Sequence, residues 1–113
     1  MEKYIKIDRI SDISDDKWTL LSQEIKKGSL IIYPTDTVYG LGAIVTNEQS
    51  INNVYLAKSR SFSSPLIALL SSVDKVEEVA NVSDKSRELL KKLAKAFWPG
   101  ALTVILKRKE HIP

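Results

Sequence analysis

The segment Leu30-Ile-Ile-Tyr-Pro-Thr-Asp-Thr-Val-Tyr-Gly-Leu-Gly42 restricts the fold of this chain more than any other stretch. Its β-branched and aromatic opening, Leu30–Tyr33, reads as a buried strand. Pro34 then removes a ladder donor and breaks the run. Thr35, Asp36, Thr37 and Tyr39 follow in a hydroxyl-rich loop that ends on Gly40 and Gly42. Polar groups at a strand end stand where an α/β sheet usually receives its ligand. The same residue types also build an ordinary strand-turn-strand connection. The rest of the chain decides between the two.

Helices and apolar runs alternate around that segment. A first helix spans Ser14 to Lys27, with Ser14 as N-cap, Asp15 and Asp16 at the positive end, and Gly28 as the stop. Trp18, Leu21 and Ile25 share one of its faces. A short apolar segment, Ala43–Val45, precedes a second helix, Glu48–Ala57, capped by Asn47 and carrying Ile51, Val54 and Tyr55 on one stripe. The loop Lys58–Pro65 leads into Leu66–Leu70, which reads as a buried strand. Ser72 caps a short helix bearing Val73, Val76 and Val79. A last helix starts near Ser83 and buries Leu89, Leu90, Leu93 and Phe97, with Lys91, Lys92 and Lys95 outside. Trp98-Pro99-Gly100 ends it, and Ala101–Leu106 is the final strand. Such alternation predicts a layered α/β domain. A helix-free connection between two of the apolar segments makes the sheet mixed rather than parallel. With no repeat or linker, residues 1–113 read as one domain.

Composition narrows the chemistry. A chain of 113 residues, 43% hydrophobic and 27% charged, can bury a core and is not of disordered type. No apolar stretch reaches the roughly 20 residues of a membrane span. Met1–Asp8 lacks the apolar core of a secretion signal, so a cytoplasmic location is expected. There is no cysteine, and His111 is the single histidine. A Ser-His-Asp triad and a multi-histidine metal centre are therefore excluded. Catalysis falls to hydroxyls, carboxylates, Lys and Arg. The net charge of +3 suits an anionic partner.

Two further segments carry ligand chemistry. Lys58-Ser59-Arg60, with Ser63-Ser64-Pro65 close behind, can clamp a polyphosphate, Arg offering paired planar donors and Lys a compact charge. The same cations also complement the dipole at the end of the second helix. Phe97-Trp98-Pro99-Gly100-Ala101-Leu102-Thr103 reads, taken alone, as a packed helix-to-strand corner. The common phosphate-binding fingerprints, Gly-x-x-x-x-Gly-Lys-Ser/Thr and Gly-x-Gly-x-x-Gly, are missing.

Taken in order, Tyr33–Gly42, Lys58-Ser-Arg60 before Pro65-Leu66, and Trp98-Pro-Gly-Ala-Leu-Thr103 resemble the YrdC-like family of threonylcarbamoyl-adenylate synthases. The resemblance implies a twisted mixed α/β sheet with flanking helices around an open basic cavity. It implies a nucleotidyltransferase of tRNA processing that joins L-threonine, bicarbonate and ATP into threonylcarbamoyl-AMP and pyrophosphate. Within it, Thr37 matches a residue that contacts threonine, and Thr35 and Tyr39 in the same loop are expected to bind it as well. Lys58 and Arg60 match the catalytic Lys-x-Arg pair that faces the phosphates, and Ser64 matches a position lining the ATP site. Magnesium is expected with ATP, held largely by phosphates and water; Asp36 reads first as a turn residue. The implied partners are tRNA and tRNA-modifying proteins.

The chemistry fits those roles. Forming a carbamate and attacking the α-phosphate both concentrate negative charge, which fixed cations stabilise. Holding two anions in line is chiefly a positioning task. Two departures stand out. Some family members carry histidine where this chain has Leu69, and the family domain continues into a strand with an Arg and a later Ser-x-Asn motif, whereas this chain reaches His111-Ile112-Pro113. It looks like the front part of the domain, so an exposed apolar face, weak stability, self-association or lost activity is expected. Competing readings are a double-stranded RNA or tRNA-binding module using Lys107-Arg108-Lys109, and an inactive fragment. A carbamoyl-adenylating domain of hydrogenase maturation would bring cysteine-rich fingers, of which this chain has none.

Overall fold

Polar side-chain caps set the starts of three helices, whereas Ser72 makes no cap bond at the short helix after it. A computed structural model describes residues 4–6 and 8–113, so part of the Met1–Asp8 stretch examined for a leader lies outside it. The chain divides into two compact units, Met1–Arg60 and Ser61–Pro113.

In the first unit, α1 (Asp15–Lys26) starts where the Ser14 hydroxyl accepts the Lys17 amide at 3.4 Å. It stops at Gly28, whose φ of 101° lets the Gly28 and Ser29 amides turn back onto the Ile25 and Glu24 carbonyls. Strands β1 (Ile31–Tyr33) and β2 (Gly40–Gly42) form an antiparallel hairpin pairing Ile31 with Gly42 and Tyr33 with Gly40. Helix α2 (Glu48–Ala57) is capped by Asn47, whose side-chain oxygen takes the Ser50 amide at 3.0 Å. It packs against β2 and buries Val54 and Tyr55.

Ser50 is buried, and its hydroxyl donates to the Gly28 carbonyl at 2.8 Å, tying the start of α2 to the end of α1. A methyl group added at Gly28 would lie 2.7 Å from that hydroxyl, on a backbone conformation that disfavours side chains. Gly28→Ala is therefore expected to cost at least about 1 kcal/mol, read as a lower urea midpoint at unchanged slope.

In the second unit, a 3-10 turn at Val73–Lys75 runs into α3 (Val76–Val79) and β3 (Ala80–Asn81). Helix α4 (Asp84–Phe97) follows its Ser83 cap, and β4 (Lys107–Arg108) pairs antiparallel with β3. Val76, Ala80 and Leu90 form the core, with Val73, Val79, Val82, Trp98, Val104 and Leu106 packed on it. The predicted corner is present: the Trp98 indole N–H donates to the Leu102 carbonyl at 2.8 Å across a cis Trp98–Pro99 bond. A Cβ on Gly100 would strike the Phe97 carbonyl.

Arg87 holds α3 to α4. Its Nε donates to Glu77 Oε2 at 3.0 Å, Nη2 to Glu77 Oε1 at 2.5 Å, and Nη1 to Asp84 Oδ1 at 2.6 Å. The guanidinium hydrogen bonds hold the Glu77 carboxyl below its ordinary value of 4.5. A depressed folded-state value contributes stability that is present above 4.5 and lost as pH falls through the lower value. The second unit is therefore expected to lose some stability as pH falls below 4.5, and Glu77→Gln should flatten that dependence in a pH series of urea midpoints.

The α/β class holds, but the strands differ from the sequence reading. Among the described residues they form two separate antiparallel pairs rather than one mixed sheet. Leu66–Leu70 forms no strand, and Ile67 and Leu69 are 69% and 71% exposed. Ala101–Leu106 keeps a strand's alternation, with Leu102, Val104 and Leu106 half-buried and Ala101, Thr103 and Ile105 exposed, yet has no ladder partner. An apolar run specifies burial only where a second surface exists to cover it. On α4 the buried positions are Leu90 and Ala94; Leu89 lies off that stripe and is exposed, and Phe97 shares the stripe but is exposed as the last residue of the helix. The partner of β1 is Gly40–Gly42, just ahead of the apolar segment Ala43–Val45.

Candidate functional site

Tyr33 explains the Gly-Leu-Gly signature. A Cβ at Gly40 would fall 2.7 Å from Tyr33 Cζ, and one at Gly42 would fall 3.0 Å from Cε1. The phenol ring therefore lies over both glycines, which offer bare backbone for it to cover. The glycines serve the hairpin and are not a phosphate turn. The signal was available in the sequence, as an aromatic residue facing Gly-x-Gly across a tight connection.

The hairpin tip, residues 34–39, is exposed throughout. The Thr35 hydroxyl donates to the Val38 carbonyl at 2.5 Å and accepts the Thr37 amide at 3.2 Å. Thr37 Oγ1 stands 3.5 Å from Thr35 Oγ1. Thr35 is thus occupied inside the tip, while Thr37 and Tyr39 are presented outward, Tyr39 at 73% exposure. Asp36 is exposed in the same tip.

The second candidate segment closes α2. The Arg60 amide donates to the Tyr55 carbonyl at 3.0 Å and the Ser59 amide to the Leu56 carbonyl at 3.1 Å. This double bond pattern is the usual glycine-terminated helix end, yet here Ser59 holds the left-handed position at φ 49°. A side chain in that region stores roughly 1–3 kcal/mol of strain, which is frequent where a turn is kept for function. Lys58 and Arg60 flank it, both exposed, and neither has an ion-pair partner among the described residues. The helix carries no other cation in its last turn. Sequence reasoning singled out the two cations but not the strained residue between them, because φ has no side-chain signature.

Ser64 lies in the second unit, half-buried in a turn where its amide donates to the Ser61 carbonyl at 3.0 Å and the Ser61 and Ser63 hydroxyls meet at 2.7 Å. A cavity of about 300 Å³ in the first unit is walled by Trp18, Leu21, Ser22, Ile25, Lys26, Ile31 and Ile44. Its lining is apolar, and none of the candidate site residues belongs to it. No cluster of three metal-ligating side chains occurs among the described residues. In the Lys107-Arg108-Lys109 run, Arg108 donates to the Lys109 and Ile112 carbonyls, which ties it to the chain end.

Comparison with known proteins settles the lineage. The family model for Sua5, yciO and yrdC, described as telomere recombination, matches residues 23–113. The chain belongs to the Sua5/YrdC family. It is 39% identical over 89 residues to the threonylcarbamoyl-AMP synthase of Pyrococcus abyssi, covering 79% of this chain and 25% of that protein. It is 32% identical over 101 residues to that of Methylococcus capsulatus, covering 89% and 53%. In structure it resembles P. abyssi Sua5 complexed with L-threonine, with a TM-score of 0.79 and 36% identity over 88% of this chain and 28% of the other. The α/β fold is therefore that of the Sua5 crystal structures, and the chain spans between a quarter and about half of these curated relatives.

Proposed function

We propose that this chain supplies the threonine- and triphosphate-gripping part of an L-threonylcarbamoyladenylate synthase. The likeness to a Sua5 protein solved with L-threonine carries the reading. In it, Thr37 and Tyr39 meet threonine, and Lys58 and Arg60 meet the ATP phosphates. The substrates are L-threonine, bicarbonate and ATP with its magnesium ion, for which Asp36 is the one carboxylate in the hairpin tip. The threonine nitrogen bonds to the bicarbonate carbon with loss of water. A carbamate oxygen then attacks the α-phosphorus as the bond to pyrophosphate breaks.

Topology supports bringing the two segments together. Helix α2 begins beside Gly28, at the base of the hairpin, and packs on β2. A helix of that length rises about 15 Å, enough to return the Lys58–Arg60 end toward the hairpin tip. Two unpaired cations there would hold the transferring phosphates and the carbamate against mutual repulsion. The product's use is tRNA modification, with tRNA and tRNA-modifying proteins as partners, in the cytoplasm. No helix among the described residues is long and apolar enough to cross a membrane.

The test is pyrophosphate release with ATP, bicarbonate and threonine, each omitted in turn. Release that needs all three supports the synthase. Release that ignores threonine, or its absence together with a failure to bind threonine, refutes it.

A further inference from the structure

We infer that Thr35 is a positioning residue rather than a substrate contact, and that it sets the Thr37 hydroxyl as a hydrogen-bond acceptor toward the amino acid. The inference rests on the proposed function for its ligand and on the tip geometry for its mechanism. A threonine hydroxyl has one proton and two acceptor sites. The Val38 carbonyl, 2.5 Å away, has no hydrogen to give, so the Thr35 proton is committed to it. One acceptor site takes the Thr37 amide at 3.2 Å. The other faces Thr37 Oγ1 at 3.5 Å, and with its own proton spent, Thr35 can only receive there.

The Thr37 hydroxyl proton therefore turns inward, and its lone pairs are left for a ligand donor. On threonine the donors are the amino group and the β-hydroxyl; the carboxylate has none. Either the amino group then faces Thr37, or the β-hydroxyl does with the amino group beside it, and the carboxylate is left to cations such as Arg60. That polarity suits a reaction in which the threonine nitrogen must be aimed at an electrophilic carbon.

Thr35→Val keeps the shape and removes every one of these bonds, whereas Thr35→Ser keeps the hydroxyl. Two readouts are taken on the whole chain: hydrogen exchange at the Thr37 amide, and the L-threonine dissociation constant from amide shifts at Thr37 and Tyr39. Thr35→Val is expected to speed Thr37 exchange and to weaken threonine binding, each about five- to tenfold, with Thr35→Ser close to wild type. The tip is exposed, so the fold should survive both changes, as circular dichroism will show. Unchanged exchange and affinity in Thr35→Val overturn the inference. So does a Thr35→Ser defect equal to that of Thr35→Val, which would assign the effect to the methyl group. Exchange that responds as expected in a chain that shows no threonine response upholds the loop-setting role and refutes the proposed function.

Discussion

Arg60→Ala is expected to weaken binding of the magnesium complex of ATP by about 10- to 100-fold, the range for losing a charge-assisted contact to phosphate. Threonine-dependent pyrophosphate release should fall further, by about 100- to 1,000-fold, if the guanidinium also meets charge that develops during transfer. Reading binding and turnover separately tests the assignment even in a chain of low activity. Arg60→Lys restores charge but not the planar fork, so it should recover binding more than turnover. Arg60 is exposed and its side chain has no ion-pair partner among the described residues, so melting should not move. Lys58→Ala should act in the same direction. Wild-type binding in both alanine variants would show that the phosphates are held elsewhere.

The second large effect concerns association. Residues 101–106 are extended and alternate in burial, and Ile105 is 93% exposed. Among the described residues their amides have no partner except Leu102, whose N–H reaches the Gly100 carbonyl. An uncharged, partly β-branched strand with free ladder groups pairs readily with another strand. The Lys107-Arg108-Lys109 run limits how. In a parallel pair of copies like charges would lie side by side, whereas an antiparallel pair centred on Thr103 and Val104 sets Lys107 against Gly100 of the other copy. Concentration-dependent dimers with antiparallel pairing are expected by analytical ultracentrifugation. Ile105→Lys should weaken them by about 10- to 100-fold, since burying one such side chain contributes roughly 1.5–3 kcal/mol. A monomer at all concentrations, or dimers indifferent to that change, would dismiss the pairing.

What the sequence made legible follows from local physics. Ser14, Asn47 and Ser83 are caps because a short polar side chain next to a helix start reaches an amide three residues on, and all three make that bond. Gly28 stops α1 for an equally local reason. Long-range partners were not legible. Leu66–Leu70 is apolar enough for a strand, but apolarity names no neighbour, and the ladders that form are short. Gly40 and Gly42 read as a loop end in the sequence, because the Tyr33 ring that covers them is a cross-strand contact. At the candidate site, residue types drew attention to Thr37, Lys58 and Arg60. The division of labour between Thr35 and Thr37 depends on where a single hydroxyl proton goes, and composition does not encode that.

The central claim is that the hairpin tip and the end of α2 grip one pair of substrates. Amide shifts followed during titration with L-threonine and a non-hydrolysable magnesium–ATP analogue test it most directly. Together the ligands should move Thr37, Tyr39, Ser59 and Arg60 with a common saturation curve, each ligand tightening the other. Shifts confined to one segment, or two independent curves, would contradict it.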